Sequence, residues 1–489
     1  MEKLVEENNK ESIGVNLSFN LFLSLSNILF PIVTFPYVSR ILGPEGIGKV
    51  QFVNSFAQYF ILIAALGIPV YGIREVSKLS GDIIGLKKLF TTLLVLNIIT
   101  SFFFLAVFTI IVYCVPSLYE NLKFYFVGGI GLLFSFSNID WFFSGLQKFK
   151  LIALRSFFVK VFFLILLFVT VNDKQDTFPY LIILTGSSIL NNIYNIFSAR
   201  NYFKLSLIDR SDFFIHLKPL IFIFSSIVIS SVYSSLDTII LGFIKGFKDV
   251  GYYSAASRLV KVGIPILTAL STVLLPKIAQ TFRDKDDVKT QKLLSQGLSY
   301  VILIGIPIAI GLIALSKEIV LFFSGLEFIE ASLTLQIMAP TTLIIGFSTV
   351  WVVLILSPNS KDKEGAITVS IGLVISIILN FLLIPIYGHI GAAVSNLISE
   401  LGVMLCFMYF ASSIFTYTFD WKFFVTCLSI SLFFFPIVYC IQIFELNNLL
   451  TMLLSIFSCI IFYFSGTIIL AKNDFLDESI IELRKKIKL

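Results

Sequence analysis

The feature that most constrains this chain is a succession of apolar runs, each about 20 residues long and separated from the next by a short polar stretch. A run of that length, coiled as an α-helix, matches the ~30 Å hydrocarbon thickness of a bilayer. Fourteen such runs are readable, near 16–41, 48–71, 88–115, 122–146, 150–171, 178–200, 218–242, 250–275, 293–316, 331–357, 364–386, 390–411, 422–442 and 448–471. They are continuously apolar rather than alternating, which selects helices over the strands of a membrane barrel. The expected fold is an all-α polytopic membrane protein. Composition agrees: 57% of the 489 residues are hydrophobic and 13% are charged, against the roughly 25% charged share of a soluble domain. An ordinary soluble enzyme is excluded.

Charge placement orients the spans, because Lys and Arg collect in cytoplasmic loops. With the amino end inside, 26 of the 36 basic residues fall in cytoplasmic segments and 7 in outward ones, while Lys160, Arg258 and Lys261 remain within spans. This asymmetry predicts an even span number and both termini in the cytoplasm. The first fifteen residues are polar with mixed charge and read as no cleavable signal. The carboxyl tail, 472–489, reads as a short amphipathic cytoplasmic helix with a basic end.

Little in the sequence suggests soluble chemistry. There is no GxxxxGK[ST] loop, the five cysteines lie in or beside apolar runs without CxxC spacing, and His216 and His389 are the only histidines. No catalytic group, metal, cofactor or nucleic-acid partner is expected.

The informative residues are those that are costly where they stand. A charge at the bilayer centre costs about 2.5–3.5 kcal/mol, so it should face a bundle interior or a wet cavity. Lys160 lies mid-span in the fifth run, and Glu400 in the twelfth. Arg258 and Lys261 lie one turn apart in the eighth, roughly 12 and 16 Å from its outward start. With Arg40 they are candidates for a cationic site that receives an anionic headgroup. Asp140, Asp237 and Glu400 are the acidic candidates, either for ion pairing with these bases or for ion coupling. Gln51, Asn54, Ser55 and Gln58 form a polar face on the second run, and Asn191, Asn192 and Asn195 share such spacing on the sixth. These faces suit either the lining of an aqueous cavity or interhelical hydrogen bonding. Pro31, Pro36, Pro69, Pro265, Pro307, Pro340 and Pro385 in or at the ends of spans allow kinks.

An internal repeat is visible between ILGPEGIGKVQFVNSF from Ile41 and GFIKGFKDVGYYSAASRL from Gly242. Each has an outward loop, then Gly48 or Gly251, a polar helical stretch, and Pro69 or Pro276 beyond. Such repeats commonly place two bundles around a central path.

Four segments, in order, carry a family resemblance: FPYVSRILGPEGIGKVQF from Phe35, NIDWFFSGLQKFKLIALRSFFVK from Asn138, SSLDTIILGF from Ser234 and VGYYSAASRLVKV from Val250. They resemble bacterial Wzx-type polysaccharide flippases of the multidrug/oligosaccharidyl-lipid/polysaccharide exporter superfamily. The resemblance runs from about Asn16 to about Ala471. It implies two pseudo-symmetric six-helix lobes around a central cavity, at 1–200 and 218–411, joined by a cytoplasmic linker at 201–217. Two peripheral spans follow at 412–471, and the tail at 472–489. It further implies a transporter, not an enzyme, of the bacterial cytoplasmic membrane. Its substrate would be undecaprenyl-pyrophosphate-linked oligosaccharide, moved from the inner to the outer leaflet by alternating access during O-antigen or capsule assembly. Expected partners are a polymerase, a chain-length regulator and a coupling H⁺ or Na⁺. Arg40, Asp140, Asp237, Arg258 and Lys261 stand in the matching segments. Two other classes stay open. A cation-coupled multidrug exporter fits less well with a basic stripe, and a glycan polymerase wants a larger outward loop than the 14 residues near Lys317–Glu330.

Overall fold

The computed structural model describes residues 13–79, 81–205, 210–471, 473 and 475, so the expected amphipathic tail helix lies outside the described residues. Among these residues the chain is helical and has no strand. The helices are α1 (Ile13–Ala64), α2 (Ile68–Lys78), α3 (Ile83–Cys114), α4 (Pro116–Tyr119), α5 (Leu122–Leu133), α6 (Asp140–Gly145), α7 (Phe149–Thr170), α8 (Thr177–Ala199) and α9 (Arg210–Lys245). There follow α10 (Phe247–Asp284), α11 (Asp287–Ala314), α12 (Ser316–Ser324), α13 (Ala331–Met338), α14 (Pro340–Trp351), α15 (Asp362–Tyr387), α16 (His389–Ile414), α17 (Trp421–Leu432), α18 (Phe434–Gln442) and α19 (Asn448–Leu470).

Twelve helical segments are long and apolar enough to cross a bilayer. They approximate the fourteen expected spans and differ from them in two places. Ser18–Ala64, with 47 residues, is about 70 Å long at 1.5 Å per residue, more than twice the hydrocarbon thickness. It is broken at Gly43, whose φ of 67° and ψ of 179° suit only glycine, and Pro44 withholds the next backbone donor. It therefore supplies two spans. The other is α8, a helix of 23 residues whose asparagines and serines lower its hydropathy. Its polar groups are spent inside the protein, as described below.

The chain divides into two compact units, up to Ser235 and from Leu236 onward, with the division inside α9. Helix α9 starts at Arg210, within the stretch expected as a linker. In the first unit α1 packs on α3, α5, α7 and α8, and α2 packs on α6. The second unit is built on α10, α11, α14 and α16, with α15 laid along α16. Helices α17 and α19 pair with each other, and α17 packs on α11. Tyr463 of α19 donates to the Leu303 carbonyl at 2.8 Å, fixing this last pair to α11.

The repeat read from the sequence has a backbone counterpart. Gly246, between α9 and α10, adopts φ 86° and ψ −172°, the conformation of Gly43. Gly48 and Gly251 each follow these glycines by five residues, and Gln58 and Lys261 by fifteen. The polar face of α1 and the basic stripe of α10 are thus equivalent positions of the repeat.

Candidate functional site

In the first unit the chain leaves α5 through a 3₁₀ turn at Phe134–Ser137 and restarts at Asp140, the first residue of α6. That interruption exposes a carboxylate in the middle of the bundle. Arg155, one and a half turns into α7, meets it: Nη2 donates to Asp140 Oδ1 at 2.7 Å. The guanidinium also donates through Nε to Asn191 at 3.1 Å and through Nη1 to Asn195. Asn195 in turn donates to Asp140 Oδ1 at 3.0 Å. Asn191 and Asn195 are one turn apart on α8, so a single helix face closes the network. The pair is unequal, the Arg155 side chain being 4% exposed and that of Asp140 43%.

Asp140 opens into a cavity of about 240 Å³. Asn54 and Gln58 of α1 line it, with Asn191 and Asn192 of α8 and Ser135 and Asn138 of the interrupted span. Gln51 is not among its walls; its amide donates to Ser55 Oγ at 3.2 Å along α1. Asn195 lies behind the ion pair, fully buried. Lys160 stands five residues beyond Arg155, about 140° around the helix at 100° per residue. It therefore points elsewhere, donating to Asn27 with its Nζ 5.7 Å from the Phe30 ring centre. Arg40 is exposed three residues before the Gly43 break.

In the second unit Asp237 of α9 is 3% exposed. Tyr253 of α10 donates to it at 2.5 Å, Asn380 and Ser376 of α15 at 2.6 and 3.3 Å, and Asn396 of α16 at 3.3 Å. A buried carboxylate held by four neutral donors has its hydrogen-bond capacity filled without a contacting cation. Asn380 Oδ1 is buried and has no hydrogen-bond partner among the described residues. Lys261 lies within electrostatic reach of Asp237, Arg258 and Glu400. The stripe foreseen on α10 is thus part of a mixed cluster of two bases and two acids. Lys261 keeps an accessible side chain, and Arg258 and Glu400 are half-buried.

The residues that sequence reading passed over are Arg155, assigned to a cytoplasmic turn, and the Asp237 shell of Tyr253, Ser376, Asn380 and Asn396. Arg155 had a signal in the Asn191/Asn195 pair, spaced to grip one group. Ser376 with Asn380, and Asn396 with Glu400, are likewise one turn apart.

Fold and site together define a polytopic helical membrane protein with two charged polar centres inside its bundles, the arrangement of a transporter. The family described as polysaccharide biosynthesis protein matches residues 13–282, more than half the chain, and the MatE family matches 222–382. A protein of Escherichia coli (strain K12) described as an O-antigen transporter is 26% identical over 80% of this chain and 95% of its own length. The capsular polysaccharide biosynthesis protein CapF of Staphylococcus aureus is 23% identical over 81% of this chain and 99% of its own. Among solved structures, the lipid II flippase MurJ in an inward closed conformation superposes with a TM-score of 0.70 over 93% of this chain and all of its own, at 18% identity. The chain belongs to the polysaccharide biosynthesis protein family, the Wzx-type branch of the exporter superfamily that its four segments resemble.

Proposed function

We propose that this protein is a flippase for lipid-linked oligosaccharide, carrying undecaprenyl-pyrophosphate-borne repeat units from the inner to the outer leaflet of a bacterial cytoplasmic membrane. The observation that carries the reading is the retention of Arg258 and Lys261 mid-span on α10, beside Asp237 and Glu400. Charged groups at that depth are costly unless they serve a pathway. A pyrophosphate crossing the bilayer carries at least two negative charges, and charge-assisted hydrogen bonds from Arg258 and Lys261 offset its desolvation. The glycan rides against amide and hydroxyl walls such as those of Asn54, Gln58 and Asn191, while the polyprenyl chain stays in lipid. Residues 1–200 and 218–411 act as the two moving lobes, and 201–217 links them. Spans at 412–471 are peripheral, and both termini are cytoplasmic.

Asp237 is the coupling candidate. Its four neutral donors can reorient around a proton or Na⁺, and Lys261 is near enough to respond to its charge. The E. coli and S. aureus relatives, by their descriptions, support O-antigen or capsule assembly as the setting. A polymerase and a chain-length regulator then act on the exported units. The MatE match favours a second reading, cation-coupled export of small molecules.

The deciding experiment is mass spectrometry of lipid-linked oligosaccharide, with an outer-face glycan probe, in cells lacking the gene and in cells carrying Arg258→Ala. Complete units trapped on the inner leaflet in both strains are expected, with normal amounts of the variant in the membrane. Normal surface glycan in Arg258→Ala cells would overturn the assigned role of Arg258, and an unchanged lipid pool in the deletion would favour the second reading.

A further inference from the structure

The first unit carries a second cavity, of about 620 Å³, within the 300–1,000 Å³ range of small-ligand pockets. Its walls are apolar: Phe108, Val112 and Tyr113 of α3, Phe126 and Ile130 of α5, and Phe178 of α8. Phe126 is 69% exposed and Tyr113 57% on membrane-spanning helices, so the groove opens sideways. Its charged member is Lys123, at the start of α5. The Lys123 ammonium lies 5.5 Å from the ring centres of both Phe124 and Phe178, and the Lys49 ammonium lies 4.2 Å from that of Phe124. Lys123 thus stands on one rim of an otherwise apolar groove, with Lys49 behind it across the buried Phe124 ring and Glu45 near Lys49. From Lys123 to Leu133 the groove runs ten residues, about 15 Å, or half the hydrocarbon thickness. That is the depth of a single leaflet.

The groove and the polar cavity share one wall. Gly128, Gly131 and Ser135 face the polar cavity, while Phe126, Gly129 and Ile130 face the groove. Three glycines in four residues keep that wall thin. An amphiphile whose glycan lies against one side of α5 therefore has a place for a hydrocarbon chain on the other, with a cationic rim for the phosphate where the two media meet. We infer that the groove is a docking site for the isoprenoid chain of a polyprenyl phosphate or pyrophosphate, in the leaflet at whose surface Lys49 and Lys123 lie. This inference rests on the flippase reading for its choice of occupant.

The test uses the full chain in proteoliposomes and an undecaprenyl phosphate carrying a photoreactive diazirine on its chain. Labelling is expected within 105–113 and 122–133, competed by unlabelled undecaprenyl phosphate but not by an equal excess of phosphatidylglycerol. A Cβ on Gly129 would sit 3.5 Å from Phe108 and 3.6 Å from Leu105, ordinary contact, so the longer side chain of Gly129→Leu projects into the groove. That variant should lose most of the labelling, and Lys49→Gln with Lys123→Gln should weaken it about fivefold or more. The wild-type label map stands even if Gly129→Leu fails to fold. Labelling elsewhere, or equal competition by phosphatidylglycerol, overturns the inference. The two readings fail differently: glycan export without groove labelling removes the groove alone. Groove labelling in a protein whose deletion leaves lipid-linked glycan unchanged removes the flippase reading alone.

Discussion

Asp140 and Arg155 sit on opposite sides of a solvent boundary, and this decides which of them the fold can spare. Arg155→Met keeps the buried volume and leaves a carboxylate that is 43% exposed and can recruit water. Asp140→Ala instead leaves a guanidinium in a site 4% exposed with only amide oxygens as partners. Breaking a buried pair from the side that strands the charge costs about 3–5 kcal/mol. Thermal unfolding in detergent should therefore show Asp140→Ala as the more destabilised variant by a clear margin, with Arg155→Met closer to wild type. The opposite order would mean that Asp140 is the desolvated member. The sequence made Asp140 legible because a carboxylate inside a span is conspicuous. Arg155 was hidden by arithmetic, since a base in the second turn of a span, five residues from its expected start, reads as part of the adjoining basic loop. The shell of Asp237 was hidden differently: three of its four donors come from α15 and α16, and no local spacing links α9 to helices so distant in the chain.

At the scale of elements, spans were the most legible feature, because a continuously apolar run has only one way to satisfy its backbone in lipid. Boundaries were less so where polar groups are consumed internally, as in α8, or where glycine rather than a polar loop turns the chain, as at Gly43. A contact between α2 and the start of α9 was not legible at all. Tyr71 and His216 meet there at 2.6 Å, with Lys88 paired to Asp212 at 2.9 Å alongside. Burial holds the His216 imidazole below its usual range; Glu75 and Asp212 pull it back up, and Lys88 pushes it down. The docked form is thus the neutral one. An undocked histidine takes its proton near pH 6.5, so docking is fully supported above that pH and weakens as pH falls below it. The protection factors of the first turns of α9, corrected for the intrinsic exchange rate at each pH, should fall between about pH 6.5 and 5. His216→Gln should flatten that dependence, and pH-independent protection in the wild type would remove His216 as its source.

For the whole molecule, the proposed arrangement with both termini inside can be tested on cysteines the chain already carries. Cys114 is the last residue of α3, and Cys440 lies near the end of α18; both are exposed, whereas Cys427 and Cys459 are buried and Cys406 is half-buried. On that proposal, which the charge asymmetry supports, the ends of the third and thirteenth spans lie outside. Ten spans separate the two thiols, so they share a side only if that number is even. A membrane-impermeant maleimide applied to intact spheroplasts should label both, with Cys114→Ser and Cys440→Ser each removing one site. Labelling of Cys114 from outside and Cys440 only in inverted vesicles would mean that one of the intervening segments does not cross, and α8, the least apolar of them, would be the first suspect. Labelling of both only in inverted vesicles would reverse the whole chain, and with it the side of the membrane on which Lys49 and Lys123 lie.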